Sequence, residues 1–279
     1  MELITVICLL VSALYLGAAI AYVRLLVSGK KQASFPSWIL VCGLVAHAAE
    51  VILRGAESGA AGGAPFASMS GFITIFAFLL GLIYLFLERR YSRRYRIVSL
   101  GAFHVPVVFA MHSLSFYLKR PMGAIPDLNK GTIFIFHVVP AICAYAALAA
   151  AFVSGVAFLL LERQLKRKQF GLLFRGLPNL DLVERVNAAA VKIGVPLLVF
   201  GLLMGLVRGY TEFGWEFKWD LKVWSSFLIA LVYGGQLLLR RFAGFAGRRA
   251  VLISVIGFVL ITLNVSVMNV FFSQLHGFR

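Results

Sequence analysis

Apolar residues run along this chain in long unbroken blocks, without the alternation of a half-buried strand or the narrow stripe of a soluble amphipathic helix. Eight blocks reach or approach the roughly 20 residues that cross a bilayer as a helix: 3–26, 36–54, 70–87, 97–118, 131–160, 192–208, 223–239 and 250–272. The fold class expected is therefore all-α, a polytopic membrane helical bundle of eight transmembrane helices forming one integral membrane domain over 1–279. The first block starts almost at Met1 without a basic leader or a clear cleavage site, so it is expected to be a retained helix.

The charged positions gather between the blocks and orient them. Arg24, Lys30 and Lys31, then Arg89, Arg90, Arg93, Arg94 and Arg96, then the segment from Arg163 to Lys192, then Arg240, Arg241, Arg248 and Arg249 would all share one side. Positive charge is retained on the cytoplasmic side, which places these loops in the cytoplasm and both termini outside. Residues 161–191 form the longest such loop, with a basic start suited to anionic lipid headgroups. Within it Asp181, with Glu184 three residues on, resembles a capping-box helix start.

Composition agrees with this picture. The 279 residues are 61% hydrophobic and 14% charged, with a mean hydropathy of +0.92, whereas a soluble domain carries about 25% charged residues. The net charge of +16 and pI near 10.3 would suggest nucleic acid in a soluble protein, but no nucleic-acid motif accompanies them, and no partner of that class is expected. Cys8, Cys42 and Cys143 lie singly in apolar blocks and read as small core residues. That excludes a CxxC thiol pair and covalent heme attachment through CxxCH. No P-loop, HExxH or GxGxxG occurs.

Two features invite a chemical reading. The stretch FGWEFKWDLKVWSSF, 213–227, holds three of the four tryptophans, and the overlapping segment 209–222 is expected to fall on the outer side. The five histidines lie at two depths. His137 near the outer start of the fifth block and His276 beyond the outer end of the eighth are level with the tryptophans, an arrangement of paired imidazoles and aromatic faces that suits a planar metallated cofactor. His47 and His112 lie deeper, in the outer half of the bilayer, with His104 deeper still. His47 is a candidate ligand of a second, buried site, with His112 or His104 as its partner, unless all three are hydrogen-bonded packing residues. Glu50, at i,i+3 from His47, is placed to orient its ring.

The segment WEFKWDLKVWSS, with Trp215, Trp219, Asp220, Trp224 and Ser225, resembles the tryptophan-rich signature of the cytochrome c assembly family, the heme-handling membrane proteins of the CcsA, CcmC and HemX type. FHVVPAICAYA with His137, LHGF with His276, the run LPNLDLVERVNAAAVKIGVPLLVFGLLMG and the short GGAPFASM are similar to family segments in the same order. The resemblance implies non-covalent heme b at one or two sites. His137 and His276 would be external axial ligands, Trp215, Trp219 and Trp224 a heme-facing platform, Asp220 a residue fixing the turn, and His47 a ligand of an internal heme. It implies heme delivery or export for cytochrome c biogenesis from a bacterial cytoplasmic membrane. The partners implied are lipid, heme, and apocytochrome c or another maturation protein. Leu221, Lys222 and Val223 stand where cytochrome c-maturing members continue with PKE, a departure that bears on ligation more than on heme contact. The alternative is a heme-free membrane scaffold of the same fold.

Overall fold

A computed structural model describes residues 2–28, 34–60, 68–92, 98–118, 132–168, 171–214 and 221–265. Among these the chain is helical between short connections: α1 (Glu2–Ser28), α2 (Phe35–Ala60), α3 (Met69–Ser92), α4 (Gly101–Tyr117) entered through a 3-10 turn at Val98–Leu100, α5 (Thr132–Lys166), α6 (Leu172–Gly176), α7 (Leu180–Phe213), α8 (Leu221–Phe242) and α9 (Arg248–Leu263). Helices are what long apolar segments must form in lipid, because each backbone N–H and C=O then finds its partner within the segment. Pro106, Pro140 and Pro196 lie inside α4, α5 and α7, a placement that neighbouring helices make tolerable in membranes.

α1, α2, α3, α5, α7 and α8 are long and apolar enough to cross a membrane. α4 has 17 residues and α9 has 16 among those described, somewhat short of the roughly 20 that span the hydrocarbon. The protein is thus a multi-pass helical membrane protein with six helices of spanning length among the described residues.

Two groups of four helices pack side by side. α1 to α4 run up and down around a core of Tyr15, Tyr22, Leu40, Leu44, Leu80, Tyr84, Val105 and Val108; α5, α7, α8 and α9 form the other group, and α5 touches α3 and α4. The middle of α5 is a run of buried small residues, from Ala144 through Ala146, Ala147, Ala149, Ala150 and Ala151 to Ser154, Gly155 and Ala157. Small side chains let neighbouring helices approach closely in a membrane, where packing takes over from the hydrophobic effect. A Cβ at Gly194 of α7 would lie 2.8 Å from Leu148 of α5, and one at Gly155 would lie 2.8 Å from Val255 of α9.

Basic residues mark one end of the molecule. Arg248 at the start of α9 pairs with Glu162 near the end of α5 at 3.3 Å, and Arg240 at the end of α8 pairs with Glu184 near the start of α7 at 3.1 Å. α6 brings Gly176 against the Leu26 carbonyl at the end of α1, which sets the basic ends of both groups on the same side.

The 161–191 segment differs from the loop expected. α5 continues to Lys166 and α7 begins at Leu180, so the segment consists mostly of helix extensions with α6 between them. Asn179, not Asp181, caps α7: its side chain accepts from Leu182 N at 3.0 Å. Asp181 pairs with Arg185 instead, and Glu184 accepts from Arg240 and from Gly247 N, the latter at 2.7 Å. These tertiary partners keep the charged ends helical.

Candidate functional site

Polar side chains are buried in two layers within α1 to α4. The layer nearer the basic end centres on Glu88 of α3. Its carboxylate accepts from Tyr22 of α1 at 2.7 Å, from Tyr84 one turn back at 2.6 Å, and from Ser37 of α2. Tyr84 stacks on His104 of α4, ring centres 4.7 Å apart. Both nitrogens of His104 are within hydrogen-bond reach of backbone carbonyls, those of Leu100 at 3.0 Å and Ala150 at 3.2 Å. His104 is thereby a packing residue that ties α4 to α5.

The second layer, two helical turns further along α1, centres on Glu50 of α2. Its Oε2 accepts from Nε2–H of His112 on α4 at 2.8 Å, and its Oε1 accepts from Nε–H of Arg54 at 2.8 Å and from the Cys8 thiol at 3.1 Å. Because a carboxylate only accepts, His112 carries a proton on Nε2, and its Nδ1 shares a hydrogen bond with Ser12 Oγ at 3.0 Å. Arg54 also reaches Ser70 of α3 at 3.2 Å and the Cys8 sulfur at 3.3 Å. Glu50 thus orients His112, whereas the i,i+3 spacing had paired it with His47. Cys8 is a buried core residue and a member of this network, as expected, whereas Cys42 is exposed on the flank of α2 and Cys143 is half-buried; all three are free thiols.

His47 and His112 meet as their depths suggested, ring centres 4.7 Å apart and edge to face. Tyr15 shares a hydrogen bond with His47 Nδ1 at 2.9 Å, and Phe78 flanks the ring at 5.3 Å. His47 Nε2 is buried and makes no well-formed hydrogen bond, with the main chain of Thr74 beside the ring. An unsatisfied buried nitrogen costs about 1–3 kcal/mol, so a buried group of this kind calls for an explanation. His47 Nε2 is thus the ring nitrogen of the pair without a well-formed partner, whereas both nitrogens of His112 are engaged.

At the end opposite the basic one, α5 and α7 form a corner around His137. Its Nδ1–H donates to the Gly201 carbonyl at 2.8 Å. Because a carbonyl only accepts, that bond places a proton on Nδ1. One turn before His137, Phe134 lies under the Arg208 guanidinium, 4.8 Å from ring centre to Cζ, and Arg208 is 9% exposed. In the first turn of α8, Trp224 is 61% exposed, with its ring 6.3 Å from that of Phe227. Asn264 at the end of α9 donates to Ser225 Oγ at 2.6 Å, tying α9 to the end of the tryptophan motif. Trp215, Trp219, Asp220 and His276 lie outside the described residues.

Several of these residues escaped the sequence reading. Cys8, Ser12, Tyr15 and Tyr22 share one face of α1 by helical spacing, the only signal that would have marked them. Glu88 stands beside Arg89 and Arg90 and reads as part of the charged loop, while Gly201, Gly205 and Asn264 carry no signal of their own.

The cytochrome C assembly protein family model matches residues 66–276. The chain is 24% identical over 171 residues to the protein HemX of Bacillus subtilis (strain 168), a match covering 61% of each protein. It is 26% identical over 126 residues to the protein HemX of Brevibacillus brevis, covering 45% of this chain and 46% of that one. The chain spans less than two thirds of either relative's length. The family match takes in most of the sequence, from the approach to α3 through the tryptophan motif to His276, and the chain belongs to the cytochrome C assembly protein family.

Proposed function

We propose that this protein handles heme in the membrane, binding it at the end that bears His137 and the tryptophan-rich segment and taking part in heme delivery or export for cytochrome c biogenesis. In this reading the chain crosses a bacterial cytoplasmic membrane eight times, with both termini and the His137 end outside and the basic end in the cytoplasm. The cargo is non-covalent heme b, and the partners are lipid and apocytochrome c or another maturation protein.

The observation that supports the reading is the posture of His137: a family chain holds this imidazole by Nδ1 near the start of a long helix, and Nε2 would be the nitrogen that meets the iron. His276 would supply the opposite axial bond. Trp215, Trp219 and Trp224 would cover the porphyrin with aromatic surface, for which stacking contributes without any metal bond. Asp220 would fix the turn into α8, and Arg208 would offset a propionate charge. His47, with its uncommitted nitrogen, would hold a second heme from the buried layer, and His112 would join it on releasing one of its present partners.

The test is a pyridine hemochrome count on detergent-purified protein expressed with added heme, repeated on His137→Gly, His276→Gly and His47→Gly. Each external variant is expected to lose outer heme and to recover it in part with imidazole. His47→Gly is expected to lower the heme count and leave the outer spectrum unchanged. Folded protein that stays colourless would turn the reading to the heme-free scaffold, for which the saturated Glu50 network is a sufficient framework.

A further inference from the structure

We infer that Gly205 is a positioning residue for His137, selecting the ring orientation and tautomer in which it meets iron; this rests on the ligand role proposed above for His137. α5 and α7 lie antiparallel and touch through a ladder of glycines on one face of α7. Gly194 faces Leu148, Gly201 faces Ala141, and Gly205 faces His137 itself. The last rung differs in kind. A Cβ at Gly205 would stand 2.7 Å from both Cε1 and Nδ1 of the imidazole and 3.5 Å from Nε2.

The ring cannot slide away from such a methyl without consequence, because it is tethered at the same edge: Nδ1–H donates to Gly201 O at 2.8 Å. Gly201 cannot follow the ring, since α7 is already close to α5 there, with a Cβ at Gly201 only 3.2 Å from Ala141 N. The two glycines thus act together. Gly201 supplies the carbonyl that holds the proton on Nδ1, and Gly205 supplies the space in which the ring lies flat enough to reach it. A methyl at 205 pushes the ring off that carbonyl, which frees the proton to move to Nε2 and blocks the nitrogen that would bind iron. Alanine is the better helix former, so the substitution disturbs the ring rather than the helix.

Gly205→Ala, Gly194→Ala and His137→Gly are compared with the unmodified protein, all loaded with hemin. Gly205→Ala is expected to retain heme roughly tenfold less tightly, the scale seen when a ligand histidine loses its orienting partner. Its Soret band and low-spin EPR signal are expected to change, and imidazole to restore them. Gly194→Ala, whose methyl meets the Leu148 side chain at 2.8 Å and the Ala144 carbonyl at 3.3 Å rather than His137, is expected to keep the unmodified spectrum. In heme-free protein labelled with 15N-histidine, one histidine is expected to move from the Nδ1-protonated form in Gly205→Ala alone.

Unmodified retention and spectra in Gly205→Ala would overturn the inference, and so would equal changes in Gly194→Ala, which would reduce the effect to helix spacing. If His137→Gly itself leaves heme unaltered, the ligand reading fails instead. If Gly205→Ala does not fold, the double variant His137→Gly, Gly205→Ala removes the ring that the methyl strikes. Recovery of folded protein then supports the inference, and continued failure overturns it.

Discussion

Glu50 and His112 stand 62 residues apart in the chain, and in the structure Oε2 of one lies 2.8 Å from Nε2 of the other with neither side chain exposed. The same carboxylate holds Arg54, whose side chain is 12% exposed, by its second oxygen. One buried anion thus fastens α4 to α2, and through the Cys8 thiol to α1.

Removing one side of this arrangement strands the other. Glu50→Leu is expected to destabilise the protein by about 3–5 kcal/mol, because Arg54 and His112 lose their acceptor while still buried. The double variant Glu50→Leu, Arg54→Leu is expected to lose less than the sum of the single changes. Thermal unfolding in detergent, followed by circular dichroism, measures both; additive losses would show that the pair does not interact.

Gly101 is where α4 passes over Tyr22, and a Cβ there would fall 2.3 Å from the tyrosine ring. Gly101→Ala is expected to cost about 1–3 kcal/mol by overpacking, since the ring cannot retreat while its hydroxyl bonds Glu88. Gly234→Ala, where nothing lies within 4 Å, is expected to be neutral or slightly stabilising. The same unfolding measurement separates the two, and equal melting of both variants would contradict the packing described.

Trp224 offers a separation of stability from function. With the residue 61% exposed, Trp224→Ala is expected to shift stability by less than about 0.5 kcal/mol yet lower heme retention, and Trp224→Phe is expected to restore part of it. Retention is read by transfer of heme to an added acceptor protein. Unchanged retention in Trp224→Ala would remove this ring from the proposed platform.

Orientation is checked by cysteines introduced one at a time at exposed positions in a chain with Cys42 and Cys143 replaced by alanine, the remaining Cys8 being buried. Ser68→Cys is expected to react with an impermeant maleimide on intact cells. Arg89→Cys and Arg167→Cys, at the basic end, are expected to react only after lysis. Labelling in the opposite pattern would invert the proposed topology and put His137 in the cytoplasm.

The apolar blocks were readable in the sequence because lipid leaves a helix as the only way to satisfy their backbones, and α1 to α5 and α7 to α9 occupy them. Where those helices stop was not readable. The extension of α7 back to Leu180 depends on Glu184 finding Arg240 and Gly247 more than 50 residues away. Histidine depth follows from position along a span, so the meeting of His47 and His112 could be anticipated. Which of them Glu50 would hold depends on the rotation of α2 against α4, which no pattern within α2 records. The posture of His137 is similar: its place near the start of a block is in the sequence, but the carbonyl that holds it belongs to α7.

The two polar layers in α1 to α4 are set apart by a dry one. Tyr15 and Tyr22 on α1 are separated by about 10 Å along the helix axis, and the intervening positions are Ala18 and Ala19 on α1, Leu40 and Leu44 on α2, Ala77 and Leu80 on α3, and Val105 and Val108 on α4, all buried. A continuous file of hydroxyls, carboxylates and imidazoles across a membrane protein would offer protons a path from one face to the other. Leucine and valine interrupt that file at mid-height, since an aliphatic side chain can neither accept nor pass on a proton. Glu50 and Glu88 are thereby held in two separate hydrogen-bond networks, with aliphatic side chains between them.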